Sequence, residues 1–129
     1  MKTYVFRLTS GVDLKLYIQE FVKFNAIHAG CILSCVGSLK YLNLRLADEN
    51  KILYSSQKYE ILSLNGTLSM DGVHLHISVS DSEGKVFGGH LLEKNIVHTT
   101  TEIIIGVIDQ TFFKRELDNS TGFNELVIE

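Results

Sequence analysis

A chain of 129 residues is long enough for one domain with its own core and too short for two, so residues 1–129 are expected to form a single domain. Hydrophobic residues make up 45% of it and charged residues 21%, with no tryptophan or proline, which is the balance of a globular protein and excludes general disorder. The net charge of −3 comes from 12 basic and 15 acidic residues, and only Lys114 and Arg115 adjoin among the scattered basic side chains; no concentrated basic face supports autonomous DNA binding.

Residues 3 to 9 alternate as a strand, with Tyr4, Phe6 and Leu8 on one face. Ser10 and Gly11 end it. Asp13 is a good N-cap, and Leu14, Tyr17, Ile18, Phe21 and Val22 form the stripe of an amphipathic helix. From Ala29 the pattern turns to strand, with Cys31, Leu33 and Cys35 alternating with Ile32, Ser34 and Val36. Gly37 and Ser38 predict a bulge or bend, and Tyr41 to Leu46 resume the strand. Asp48-Glu49-Asn50 reads as a turn. Further strands are expected at 52–56, 59–65, 67–70, 73–80 and 85–92. A nearly all-apolar strand at 101–108 is expected to be buried on both faces. The tail is polar and turn-like through 118–122, and Leu126-Val127-Ile128 add a short last strand. One helix against a large, mostly antiparallel sheet is an α+β architecture.

The N-terminus lacks an apolar core of signal-peptide length, and the longest apolar runs are far too short to span a bilayer. No membrane role and a cytoplasmic location are therefore expected. Cys31 and Cys35 lie in one extended segment, where their Cα atoms stand roughly 13 Å apart. That separation excludes an intrachain disulfide and points to two small buried thiols.

Three histidines within seventeen residues carry the clearest chemical signal. His74 and His76 are two apart on one strand and so share a face, roughly 6 to 7 Å apart at Cα. The turn Asp81-Ser82-Glu83-Gly84 sets His90 opposite or diagonal to His76, at a Cβ separation of about 5 to 8 Å. Three nitrogens with one position left for water or a ligand suit zinc or a similar divalent cation. The competing reading is a hydrogen-bonded hairpin surface or subunit interface. Gly88 and Gly89 remove two side chains beside His90, which permits close approach of a ligand, a strand or a second subunit; a simple bulge explains them equally. No helix start follows them, so they are not a phosphate cradle.

Glu102 opens the strand expected to be buried, where an acid needs a partner. It is a candidate general base or an acceptor that orients a histidine, against a structural pairing with an arginine such as Arg7. His28 and His98 fall outside the cluster and read as structural. No serine or cysteine stands in a nucleophile motif.

The segment Gly72-Val-His-Leu-His-Ile-Ser-Val-Ser-Asp-Ser-Glu-Gly-Lys-Val-Phe-Gly-Gly-His-Leu91, with Val97-His-Thr-Thr-Thr-Glu102, closely resembles the PPC (plants and prokaryotes conserved) domain, stand-alone type. Tyr59-Glu-Ile-Leu-Ser-Leu-Asn-Gly66 and Thr121-Gly-Phe-Asn-Glu-Leu126 also fit that family. The resemblance implies an α+β fold assembled as a homotrimer and similar to acetolactate decarboxylase, an enzyme whose metal is held by three histidines. It also implies that His74, His76 and His90 match positions where prokaryotic relatives hold a metal. Plant members bind A·T-rich DNA through an Arg-Gly-Arg-Pro core, which this proline-free chain lacks. The expectation is a trimeric assembly and binding module with a metal or small-ligand site at the histidines. The alternatives are a metal-dependent enzyme in which Glu102 handles the proton, and the family's DNA-binding label.

Overall fold

The computed structural model describes residues 1–48 and 50–129. Its elements run β1 (Lys2–Thr9), α1 (Leu14–Phe24), β2 (Gly30–Arg45), β3 (Ile52–Ser55), β4 (Tyr59–Ser69), β5 (Gly72–Ser80), β6 (Val86–Leu91), β7 (Ile96–Val107), β8 (Phe113–Leu117) and β9 (Asn124–Ile128). The arrangement is α+β: one helix lies against a seven-stranded antiparallel sheet of order β1-β7-β2-β4-β5-β6, with β3 added beside β2. The hairpin β8-β9 forms a separate two-stranded sheet. No helix among the described residues is long and apolar enough to cross a membrane.

The helix starts where Asp13 caps it, its carboxylate accepting from the Leu16 N–H at 3.2 Å and, with its other oxygen, from the Lys94 N–H at 2.8 Å. Its apolar stripe places Leu14, Ile18 and Val22 fully inside. Each contributes roughly 1.5 to 3 kcal/mol of burial. Opposite them, alternate residues of the sheet supply the rest of the core, among them Leu8, Leu39, Leu68, Leu75, Ile77 and Leu91.

The sixteen residues of β2 are too long for one set of neighbours. The first part pairs with β4 as far as Leu39 and with β7 as far as Tyr41, and the last part, from Leu42 to Arg45, pairs with β3 and, at Leu44 and Arg45, with β6. Register shifts around Gly37 and Leu39 mark the expected bend between the two parts. Because β6 returns to β2 through Leu44–Leu91 and Arg45–His90, the strands β2, β4, β5 and β6 close into a ring. Asn95 holds this corner. Fully buried, it bridges Asn43 and the Leu92 carbonyl through three hydrogen bonds of 2.7 to 2.9 Å.

Three expectations change and one strand is added. The two strands predicted at 59–65 and 67–70 are one, because Gly66 carries β4 through a backbone conformation that a side chain resists (φ +156°). The strand predicted at 101–108 starts at Ile96 and is buried on one face only: Thr101, Ile103 and Ile105 point inward and Glu102 outward, since among the described residues no second layer covers the outer face. The charged segment Phe113–Leu117 is a strand, stabilised by pairing with β9 and not by an apolar pattern. Cys31 and Cys35 are free, as expected, yet half-buried where full burial was expected. Burial still pushes the Cys35 thiol up to about 12, which keeps it protonated and unreactive. The predicted turn at 48–50 is supported by the Lys51 N–H bond to the Asp48 carbonyl at 2.8 Å, while Glu49 lies outside the described residues.

Candidate metal centre

The β5-β6 hairpin turns at Asp81, whose carboxylate accepts from the Glu83 and Lys85 N–H groups, both at 2.9 Å. That turn sets the register, and His76 and His90 become direct cross-strand partners. His74 lies two residues along on the same face. The three rings gather with centroid separations of 5.2, 5.3 and 5.7 Å, and one ligating nitrogen of each lies within 4.8 Å of the others. In a tetrahedral zinc site, bonds of about 2.0 to 2.1 Å put the donors roughly 3.3 Å apart, so small side-chain rotations close the difference. Convergence of the three histidines, the central expectation from the sequence, is what the fold produces.

The neighbourhood favours the neutral imidazole that a metal requires. Burial, then Arg45, Lys15 and the other two histidines, push His90 down to about 4. His74 is lowered by burial and by Arg115, with Glu125 acting in the opposite direction. The decisive detail is Nδ1 of His90, a buried nitrogen with no hydrogen-bond partner. Leaving a buried polar atom unpaired costs about 1 to 3 kcal/mol, so an atom in that state needs a reason. A metal ion bound between the rings supplies one, and on this observation the donor set fits a divalent cation.

Gly89 explains how His90 comes so close to β2. A Cβ there would stand 2.7 Å from the Arg45 carbonyl oxygen, so the glycine pair serves the approach of another strand. The cluster opens onto a cavity of about 690 Å3 lined by the three histidines, Arg45, Leu46, Asp71, Val73, Gly88, Gly89, Arg115, Phe123 and Glu125 among others. Its far wall is the β8-β9 hairpin. This hairpin is fixed by the Arg115 N–H to the Asp71 carboxylate at 3.0 Å, by the Arg115 guanidinium to Thr67 Oγ1 at 2.8 Å, and by the Phe113 N–H to the His28 carbonyl at 3.0 Å.

Glu102 stands elsewhere. It is exposed on β7, cross-strand from Arg7 and Val36, and is not part of the cavity wall. His28 packs against Phe112 with a centroid separation of 5.0 Å, and neither it nor His98 joins the cluster. Sequence reasoning missed Arg45, Arg115 and Glu125. Arg115 had been noted only as half of the single adjacent basic pair, and no local spacing links it to a histidine 41 positions earlier.

A model of the Plants and Prokaryotes Conserved (PCC) domain matches residues 1–109. The chain belongs to the PCC family. Over its whole length it is 42% identical to the bifunctional protein GlmU of a Synechococcus species (strain JA-3-3Ab), but spans only 21% of that protein. Among solved structures, a hypothetical protein from Salmonella enterica superposes with a TM-score of 0.95 at 36% identity, covering 99% of this chain and 93% of that one. The metal-containing protein AF0104 of Archaeoglobus fulgidus superposes at 0.82 with 27% identity, covering 98% and 94%. A protein from Bacteroides thetaiotaomicron whose DNA-binding description is provisional shares the fold at 0.87 and 23% identity, with 97% and 91% covered. The hairpin β8-β9 lies beyond the residues that the PCC model matches.

Proposed function

We propose that this PCC domain is a trimeric binding module in which His74, His76 and His90 hold zinc or a similar divalent metal with one position open to a small ligand. The observation that carries the reading is the buried, unpartnered Nδ1 of His90 inside a cluster whose three ligating nitrogens lie within 4.8 Å. The metal in the archaeal relative agrees with it. Bound there, the metal supplies a Lewis acid that polarises a ligand oxygen. The match to one fifth of a bifunctional protein agrees with a portable module.

Support for assembly comes from the outer face of the sheet. Val5, Val36 and Leu62 are 73%, 57% and 52% exposed on β1, β2 and β4, an apolar surface of the kind that subunit contacts cover. A metal-dependent enzyme is the second reading, favoured by the cavity and by the Glu125 carboxylate within it.

Elemental analysis of the purified protein tests the site. One metal per chain is expected, lost in His76→Ala; metal-free protein whose melting is unchanged by added zinc would sink the proposal. Light scattering tests the trimer, and a monomer at micromolar concentration would remove it. The module reading also expects no salt-dependent retention on duplex DNA at physiological ionic strength.

A further inference from the structure

We infer that the histidine cavity binds a small oxyanion, with one oxygen at the metal's open position and the remainder on the guanidinium groups of Arg45 and Arg115. This inference rests on the metal reading and names the ligand class for it.

The two arginines reach the histidines from opposite sides. Arg45 is the cross-strand partner of His90 on β2, and Arg115, on the β8-β9 hairpin, donates to Thr67, the cross-strand partner of His74. Both are half-buried on the cavity wall, and among the described residues neither is in an ion pair. A half-buried guanidinium with free donors is a group arranged to receive a carboxylate or phosphate, which it holds through two parallel N–H bonds.

Charge balance points the same way. The cavity wall carries the carboxylates of Asp71 and Glu125 against the two guanidiniums, and Asp71 is engaged by the Arg115 N–H. These four charges cancel. A divalent ion on three neutral imidazoles then leaves two positive charges facing the cavity, and an anion bound to the metal relieves them. The volume of about 690 Å3 is that of a small-molecule site, and Leu46, Val73 and Phe123 give the ligand an apolar wall beside its charged end.

Cobalt substitution reads this directly, because the visible bands of Co(II) change when its open position gains a ligand. Cobalt-loaded protein is titrated with L-lactate, with inorganic phosphate, and with methyl lactate as the uncharged control. Lactate or phosphate is expected to shift the bands, and whichever binds more tightly identifies the oxyanion as carboxylate or phosphate. Arg45→Gln and Arg115→Gln are each expected to weaken that binding roughly tenfold or more, at unchanged cobalt content. Arg45 makes no side-chain hydrogen bond among the described residues, so Arg45→Gln keeps the test decisive if Arg115→Gln disturbs the hairpin. Equal anion affinity in wild type and both variants, or methyl lactate binding as tightly as lactate, overturns the inference and leaves the metal reading standing. Failure of the wild-type protein to load cobalt overturns both.

Discussion

Gly66 is the residue through which the fold is expected to be most sensitively coupled to the histidines. It lies on β4 opposite Leu75, between the partners of His74 and His76, and a Cβ built on it would stand 1.9 Å from the His74 carbonyl oxygen and 2.9 Å from the Leu75 Cα. Both are backbone atoms, so no side chain can swing aside. Restoring an ordinary contact requires β4 and β5 to part by at least about 1.5 Å at the point where two proposed ligands are rooted. Such overpacking costs about 1 to 3 kcal/mol, and the backbone conformation adds about 1 to 3 more. Gly66→Ala is therefore expected to lose roughly 2 to 6 kcal/mol of a total that is commonly 5 to 15. For a chain of this size the midpoint falls by on the order of 10 °C. Metal bonds tolerate only about 0.2 Å, so zinc affinity falls together with stability. Gly72→Ala is the control. Its φ is also positive, at +136°, but no atom lies within 4 Å of the added Cβ, so it loses only the backbone part. The assays are thermal melting by circular dichroism and zinc binding by competition with a chromophoric chelator. A Gly66→Ala protein that melts within a degree or two of wild type, or no lower than Gly72→Ala, would refute the steric argument.

Gly89→Ala places a Cβ 2.7 Å from the Arg45 carbonyl and is expected to cost about 1 to 3 kcal/mol, read as a lower urea midpoint with weakened zinc binding. Ile18→Ala, on the buried face of α1, is expected to lose about 2 to 5 kcal/mol and to leave metal content in the folded fraction unchanged. For the metal-free protein, His90 stands at about 4 when folded and near 6.5 when unfolded, so the unfolded chain takes up the proton first on acidification. The stabilisation is complete above about pH 6.5 and declines toward pH 4, by on the order of 1 kcal/mol after allowance for solvent screening. Urea melts across that window measure it, and an NMR titration placing His90 near 6.5 would contradict it. On the proposed trimer, Val36→Lys on the exposed sheet face is expected to lower the light-scattering mass to that of a monomer without unfolding the chain.

What the sequence disclosed and what it hid follow from the range of the forces involved. The helix was legible because Asp13 and the stripe from Leu14 to Val22 are local signals, and the β5-β6 hairpin was legible because Asp81 to Gly84 fixes its own turn. The histidine cluster was legible for the same reason: all three members hang from that one hairpin. The outward side of β7 was misread because a run of Ile looks the same whether the second face is covered or left open. Here Ile103 and Ile105 are buried while Glu102 is exposed. The strand Phe113–Leu117 carries no apolar alternation, and only its partner β9 makes it a strand.

The two arginines were invisible for a different reason, and that reason bears on how the site works. Arg45 reaches His90 only because β2 bends near Gly37, loses its pairing with β4, and meets β6 at the far end of the ring. Arg115 reaches Thr67 and the His74 side only because the last twenty residues fold back over β4 and the β4-β5 turn, tied there through Asp71. The proposed metal ligands thus rest on one local hairpin, whereas the groups that would read the ligand come from two distant segments. A change in β8-β9 can therefore alter which anion fits without moving the histidines. Within the PCC fold, metal affinity is expected to vary little among chains that keep the hairpin, and ligand preference to follow the segment beyond residue 109.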